Sequence, residues 1–571
     1  MSTDEEDFPY DEVFDQKAFR SSKDHLYVIH SGSPPSNSAN FASISKKTKW
    51  PEDLWKSGKI IYDVEKKDLC IASPQNSTDT LLRFDSHFES GNLGQAYHLN
   101  ADKYHLIIEY DHNSLSSAQW FYFKITNTRK ASKYTFYISG FHKKKNLFCN
   151  GSKIFWYSQK QAIKEDISWQ RGGINYGTAT TLKPKGQNKR SSMQFQIKLP
   201  YDNDEVYLAY CLPYTYTDLI REINVWKSCD KNGIMEVNSL CQTLGGRDCP
   251  YLTLSSPSSQ IPLKQRPYVF VTARIHPGES NGSFLMSGYI DFLLSKNGIS
   301  KYLLDHYVFV IIPMLNIDGV IEGFYRVSLS GHDLNRIWTN PDRTIHPVIY
   351  RAKELFTKLS REKKVELFLD FHGHARLHGT FAFGCPNTDN PALLDSEKIF
   401  PRILSFLSDA FSWNNCVFSI PKDRESASRI VIRNELSVVH SLTIETSFGG
   451  ISSGPRSGLL YNEIIWKELG EKCCEGTYHL LCGEDSPYMS YVTKELNYLN
   501  TPPPPERRFD WVPKRIITED HSDQYLEINS GLSGIVHLEQ PAKKFCFDAS
   551  SISEEMPNTL SPKWEKLEYK M

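Results

Sequence analysis

His276-Pro-Gly-Glu279 puts an imidazole and a carboxylate three residues apart, directly after the apolar run Tyr268-Val-Phe-Val-Thr-Ala273. In a turn, that spacing can bring both side chains to one metal ion. Asp370-Phe-His372-Gly-His374 follows a second apolar run, Val365-Glu-Leu-Phe-Leu369. A histidine just past that strand end can complete a His2Glu set. Three protein donors and one open position, filled by water, are what a catalytic zinc needs. A third run, Tyr307-Val-Phe-Val-Ile-Ile312, leads to Asn316-Ile-Asp-Gly319, then Arg326, then Gly331-His-Asp333-Leu-Asn335-Arg336. Guanidinium groups offer forked donors to carboxylates and stabilise oxyanions. A fourth run, Ser441-Leu-Thr-Ile444, ends at Glu445, a carboxylate that can act as general base. Each motif alone has a plainer reading: a loop histidine, a surface ion pair, an exposed glutamate. An isolated H-x-x-E is more often structural than metal-binding. The convergence of four such strand ends decides the matter.

Those strands must belong to one sheet, because ligands in open α/β sheets gather at the carboxyl ends of the strands. After Leu212, apolar strand-like runs alternate with helical stretches such as Ser283–Leu294 and Pro347–Lys358. That rhythm predicts an α/β fold with a largely buried sheet. From about 80 to 212 the pattern is different. Met193, Phe195, Ile197 and Leu199 alternate with polar residues, and Tyr104–Tyr110, Trp120–Ile125 and Tyr134–Ile138 are short, aromatic and β-branched. Several such strands in a row predict an antiparallel β-sandwich. The expected organisation is therefore an N-terminal extension (1–79, partly irregular), a sandwich (80–212), an α/β domain carrying the chemistry (213–490), and a proline-rich linker and tail (491–571). The linker is Thr501-Pro-Pro-Pro-Pro505.

Composition narrows the partners. The 571 residues carry 66 Lys+Arg against 67 Asp+Glu, a net charge of -1. No overall field draws the chain to nucleic acid or to an anionic membrane. No apolar run approaches the roughly 20 residues of a membrane span. The acidic start, MSTDEEDFPYDEVFD, has no apolar core and is not read as a secretory signal. The 12 cysteines form no C-x-x-C pair, so reduced thiols in a cytoplasmic protein are expected. A monomer is expected, as no coiled-coil heptads occur.

In this order, the motifs resemble the zinc metallocarboxypeptidase family, and most closely its cytosolic carboxypeptidase branch, the protein deglutamylases. That branch carries H-P-G-E, N-x-D-G-V, an Arg before G-x-D-L-N-R-x-W, D-x-H-G-H and T-x-E-x-S-F. Here they read His276-Pro-Gly-Glu279, Asn316-Ile-Asp-Gly-Val320, Arg326, Gly331-His-Asp-Leu-Asn-Arg-Ile-Trp338, Asp370-Phe-His-Gly-His374 and Thr443-Ile-Glu-Thr-Ser-Phe448. Phe88-Glu-Ser-Gly-Asn-Leu93, Gln119-Trp-Phe-Tyr-Phe123 and Pro213-Tyr-Thr-Tyr-Thr-Asp218 look like landmarks of the branch's β-sandwich and its junction.

The resemblance implies a mixed-sheet metallocarboxypeptidase domain behind a β-sandwich, with one zinc ion per chain. His276, Glu279 and His372 would bind the metal. Glu445 would take a proton from water and pass it to the leaving amine. Arg326 would stabilise the oxyanion. Asn335 and Arg336 would clamp the substrate's terminal carboxylate. Asp333 would orient His276 from behind, and His374 would be a lesser contributor. The implied substrate is a protein tail with C-terminal or branch glutamates, above all tubulin within microtubules, which implies association with the cytoskeleton or cilium. Among Lys422, Arg424, Arg429 and Arg433, Arg429 is the expected partner of the glutamate side chain, and the others are read as solvated. The basic loops at His142–Lys145 and Lys183–Arg190 are likewise read as solvated, although an acidic tail could meet them.

Three departures bear on specificity. Ser426-Ala-Ser-Arg429 stands where the branch often has G-T-G-R, and Ala375 stands where it usually has serine. No tyrosine between Trp413 and Glu445 can cover the substrate terminus, so none is assigned to that role. Two other readings compete. An N-acyl amino acid deacylase also uses H-x-x-E with a distant histidine, but Asn335-Arg336 and the sandwich argue against it. A non-catalytic reader of tubulin tails would be expected to have lost a ligand or Glu445.

Overall fold

In a computed structural model, the described residues are 58–66, 79–114, 117–142, 147–181, 190–388 and 390–500. The acidic N-terminal stretch, Lys143–Lys145, nearly all of Lys183–Arg190, and the polyproline run with the tail after it lie outside them.

The sandwich consists of two sheets. One runs in the order β1 (Lys59–Asp63), β3 (Gln95–Asn100), β4 (Lys103–Ile107), β6 (Lys133–Phe141), β10 (Arg190–Lys198) and β9 (Ile174–Thr181). The other runs β2 (Arg83–Asp85), β5 (Tyr122–Thr126), β11 (Val206–Ala209), β7 (Ile154–Ser158) and β8 (Gln170–Gly172). Period-two alternation sets the inner face: Met193, Phe195 and Ile197 on β10 are buried, and Gln194 and Gln196 between them are only partly covered. Aromatic side chains join the layers, as where Phe84 of β2 meets Tyr104 of β4 with ring centroids 5.7 Å apart.

Two features depart from the sequence reading. β1 lies within the stretch assigned to the N-terminal extension, yet it pairs with β3. The sandwich is also not wholly antiparallel, because β4 and β6 run parallel. The chain crosses to β5 in the other sheet between them and returns in the same direction.

The catalytic sheet has the order β12 (Met235–Gln242), β13 (Asp248–Leu254), β15 (Val308–Ile312), β14 (Tyr268–Ala273), β16 (Val365–His374), β18 (His440–Ser447) and β17 (Thr380–Phe383). The four central strands are parallel, and β12, β13 and β17 add antiparallel pairs at the two edges. Every residue of β14 and β15 is buried, as expected of parallel strands covered on both faces. Helix Pro347–Glu362 packs on β14 through Phe356, stacked on Phe270 at 4.3 Å. Helices Ser280–Leu294 and Glu463–Leu481 touch backbone to backbone. A Cβ on Gly288 would lie 2.0 Å from Lys467 O, and one on Gly470 would lie 2.0 Å from Leu285 O. Only glycine permits that approach. Helix Pro487–Asn500 continues ten residues into the stretch assigned to the linker.

Candidate zinc and peptide-hydrolysis site

Strand periodicity does much of the positioning. β16 does not stop at Leu369 but runs to His374, because β18 stays paired with it through His374↔Ser447. His372 and Glu445 therefore lie within strands, a correction to their expected places at strand ends. Asp370, His372 and His374 are spaced by two and share one face. His372 and Glu445 are register partners on neighbouring strands, so their side chains leave that same face. Gly373 is required here, since a Cβ would lie 2.4 Å from Asn281 Oδ1 and 2.8 Å from the Phe448 ring.

The turn after β14 brings in the other two donors. Arg274 stands at φ +59°, an uncommon conformation for a non-glycine residue. Its buried guanidinium donates to Pro277 O at 2.8 Å, Tyr214 O at 2.9 Å and Ser283 Oγ at 2.8 Å. Arg274 thus fixes the His276–Glu279 turn from inside. The motif had not singled it out.

His276, Glu279 and His372 are buried, with one donor atom from each within 4.8 Å of the others. His276 Nδ1 stands 3.0 Å from Glu279 Oε1, and His372 Nδ1 stands 3.0 Å from Glu279 Oε2. Each imidazole meets a carboxylate through Nε2: His276 meets Asp333 Oδ1 at 3.1 Å, and His372 meets Asp370 Oδ2 at 2.9 Å. Donating from Nε2 leaves an Nδ1 lone pair for a metal, the usual way a ligating histidine is held. The approach of His276 Nδ1 to Glu279 Oε1 is not aligned as a hydrogen bond, which leaves this buried nitrogen without one. Burial opposes charge on both rings, but the surrounding carboxylates outweigh it and raise both pKa values. The junction of the two Nδ1 atoms and Glu279 is thus a place that favours a cation. Two imidazoles and one carboxylate fit zinc.

Asp370 was quoted in its motif without a role. It is fully buried and accepts hydrogen bonds from Thr272 Oγ1 at 2.8 Å and Ser428 Oγ at 2.6 Å besides its His372 contact. Asp333 does more than orient His276, because its Oδ2 pairs with Arg326 Nη2 at 2.6 Å. One carboxylate thereby aligns a candidate ligand and the guanidinium expected to face the oxyanion.

A cavity of about 650 Å³ opens over this cluster, and its lining includes all three donors with Arg326, Asn335, Arg336, His374, Arg429 and Glu445. The sequence placed all nine at one centre, and the structure brings them together. Glu445 Oε2 stands 3.5 Å from His374 Nδ1. Asn335 is fixed by accepting from Ser428 N at 2.9 Å, and Arg336 Nη1 donates to Asn335 O at 2.7 Å. Arg429 is buried, lies over the Phe383 ring at 5.4 Å, and leaves Nε without a hydrogen-bond partner. Burial lowers its pKa, against the pull of Cys385, Glu445 and Asp370. Arg424 reaches the lining, whereas Lys422 and Arg433 do not. Sequence reasoning missed Arg376, Tyr325 and Ser117 on the lining and read His142 as part of a solvated loop. Ser117 and His142 come from the sandwich, more than 130 residues before the first ligand, and no local signal marks them.

Comparison with known proteins agrees with this arrangement. Residues 227–391 match the family described as zinc carboxypeptidase, and residues 84–211 match the cytosolic carboxypeptidase N-terminal domain. The first match contains the three donors and Arg326 and ends before Arg429 and Glu445. Cytosolic carboxypeptidase 1 of Gallus gallus is 35% identical over 74% of this chain and 36% of its own length. Cytosolic carboxypeptidase 4 of Mus musculus is 37% identical over 70% of this chain and 38% of its own length. The chain thus spans little more than a third of these relatives. A metallo-carboxypeptidase from Burkholderia cenocepacia shares the fold, with TM-score 0.57 and 20% identity over 70% of this chain and 99% of that one. With its donor set, its two matched regions and these relatives, the chain belongs to the zinc carboxypeptidase family, a family of metal-dependent hydrolases, in its cytosolic carboxypeptidase branch.

Proposed function

We propose that the protein is a zinc metallocarboxypeptidase that removes C-terminal or branch glutamates from acidic protein tails, tubulin tails among them, as a monomer in the cytosol. When bound by His276, Glu279 and His372, zinc supplies Lewis-acid chemistry, polarising a carbonyl and acidifying water. The chain's own groups do the rest. Glu445 takes a proton from the attacking water and returns it to the leaving nitrogen. Arg326, held by Asp333, donates to the oxygen that gains charge in the tetrahedral intermediate. Asn335 and Arg336 take the terminal carboxylate, which restricts cleavage to chain ends.

The observation that carries the glutamate preference is Arg429: a buried guanidinium with an unpartnered Nε, in the same cavity as Glu445. Desolvated and incompletely bonded, such a cation favours an anionic side chain over a neutral one. Purified protein is incubated with polyglutamylated tubulin and with matched peptides ending in glutamate or leucine, beside Glu445→Gln and Arg429→Gln. Release of glutamate by the wild type, its loss in Glu445→Gln, and a narrowed glutamate-over-leucine ratio in Arg429→Gln are expected. Equal release from both peptides by wild type and Arg429→Gln would remove the glutamate preference.

A further inference from the structure

Arg326 sits on a segment that no sheet supports. Tyr325–Val327 follows helix Ile317–Glu322 and belongs to neither helix nor strand. Its backbone is nevertheless held by one side chain from the sandwich. Tyr325 N donates to Asp111 Oδ1 at 2.7 Å, Arg326 N to Asp111 Oδ2 at 2.7 Å, and Val327 N to Asp111 Oδ2 at 3.0 Å. Three successive N–H groups thus converge on one carboxylate, and Asp111 is 2% exposed. Burying a carboxylate is costly unless its acceptor sites are filled. Here they are filled by the backbone on both sides of the oxyanion-binding residue.

The same part of the sandwich grips neighbouring positions. Ser90 Oγ donates to Val320 O at 2.6 Å, Asn92 Nδ2 to Gly323 O at 3.0 Å, and Asn113 Nδ2 to Leu329 O at 2.8 Å. Asp111 also begins the turn whose far end enters the cavity: its N–H donates to Ser117 O at 2.9 Å, and Ser117 lines the cavity wall. Past the backbone, the Arg326 guanidinium is aimed by Asp333 at 2.6 Å. Its direction is therefore fixed at both ends, by Asp111 at the main chain and Asp333 at the tip.

We infer that Asp111 is a positioning residue for Arg326, so that the sandwich forms part of the oxyanion-stabilising apparatus as well as a wall beside it. The inference rests on the carboxypeptidase reading above. Its physical basis is that a donor stabilises a developing oxyanion only where the oxyanion forms, and a displacement of about 1 Å can cost on the order of 10²-fold in rate. Asparagine at 111 keeps the shape but turns one acceptor into a donor facing a backbone N–H.

The test is a double-mutant cycle of Asp111→Asn with Arg326→Ala, using the full chain. Turnover is counted per bound zinc, and melting temperature is measured alongside. In the wild-type background, Asp111→Asn is expected to lower kcat about 10- to 100-fold while KM moves about twofold at most. In the Arg326→Ala background the same substitution adds nothing further, because the residue it positions is gone. An equal loss of kcat in both backgrounds, or no loss in either, overturns the inference. Should Asp111→Asn yield no zinc-loaded protein, Asp111→Glu takes its place in the cycle. It keeps the charge but moves the carboxylate by one methylene away from the three N–H groups, and unchanged kcat per zinc there overturns the inference too. A wild type inactive on every peptide, with zinc bound, sinks the carboxypeptidase reading and the inference with it. A wild type that is active beside an unaltered Asp111→Asn sinks the inference alone.

Discussion

The sandwich and the catalytic sheet are both β-structures with buried inner faces, but they use their strands differently. In the catalytic sheet, parallel strands point their carboxyl ends one way, so polar residues far apart in sequence meet at one rim. In the sandwich, mostly antiparallel strands alternate direction, the inner face is filled with aromatic side chains, and none of its described residues joins the candidate metal-donor cluster. The sandwich acts instead through side chains that satisfy backbone groups of its neighbour. Asp111 holds the Arg326 segment. Buried Arg171 of β8 donates to Phe448 O at 2.7 Å, just past the strand that carries Glu445, and to Tyr461 O at 2.7 Å. One region supplies reactive groups and the other supplies constraint, so damage to each should be read out differently.

The largest effect is expected in the catalytic sheet. Glu445→Gln should lower kcat by about 10²- to 10⁴-fold, the range of a lost general acid–base, with zinc content unchanged by elemental analysis. Retained turnover would move the proton-transfer role elsewhere, with His374 the first group to test. Behind the donors, Asp370→Asn should weaken zinc binding about 10- to 100-fold in competition with a chelator. Asp333→Asn should weaken zinc binding and also lower kcat per bound zinc, because Asp333, unlike Asp370, touches both a candidate donor and Arg326. If the two variants behaved alike, that double role would be wrong.

The sandwich side of the comparison is sharpened by Arg171→Met. This substitution leaves carbonyls of Phe448, Tyr461 and Lys153 without their donor, at a cost of about 3 kcal/mol. Denaturant unfolding should show the loss, while kcat of the zinc-loaded fraction stays near wild type. A large fall in kcat per zinc would show that Arg171, like Asp111, acts on the chemistry.

The smallest effect is a matter of pH. Burial pushes His105 of β4 down to about 4, and the ring bonds Ser139 Oγ at 2.9 Å. Its folded pKa lies below the unfolded value, so its contribution is present above about 6.5 and is lost as pH falls through that value toward 4. Asp111 and Asp218, both pushed up to about 6 by burial, act in the opposite sense over a similar window. The signal is therefore a difference: His105→Gln should have a shallower fall in melting temperature between pH 7 and 5 than the wild type. Parallel curves would remove His105 from the acid sensitivity.

Legibility in the sequence followed the range of the interaction. Motifs that place reactive groups on or beside a strand, such as His276–Glu279 and Asp370–His374, work through spacings of two to four residues. Strand pairing converted those spacings into one face and one rim. Element ends were less legible. β16 ran past Leu369 and β1 fell inside the assigned extension, because strand length is set by a partner that lies elsewhere in the chain.

The sequence by itself determined the candidate donor set, the candidate general base, the alternation of α and β elements and the sandwich ahead of them. Each is encoded by residue type at short period. Only the tertiary structure decided that Asp370 stands behind His372, that Asp333 grips Arg326 as well as His276, that Arg274 fixes the turn, that Arg424 and not Lys422 reaches the cavity, and that Asp111 holds Arg326 from 215 residues away. Those roles come from satisfying buried polar groups, and a buried group takes its partner from whatever the fold places beside it, at any distance along the chain.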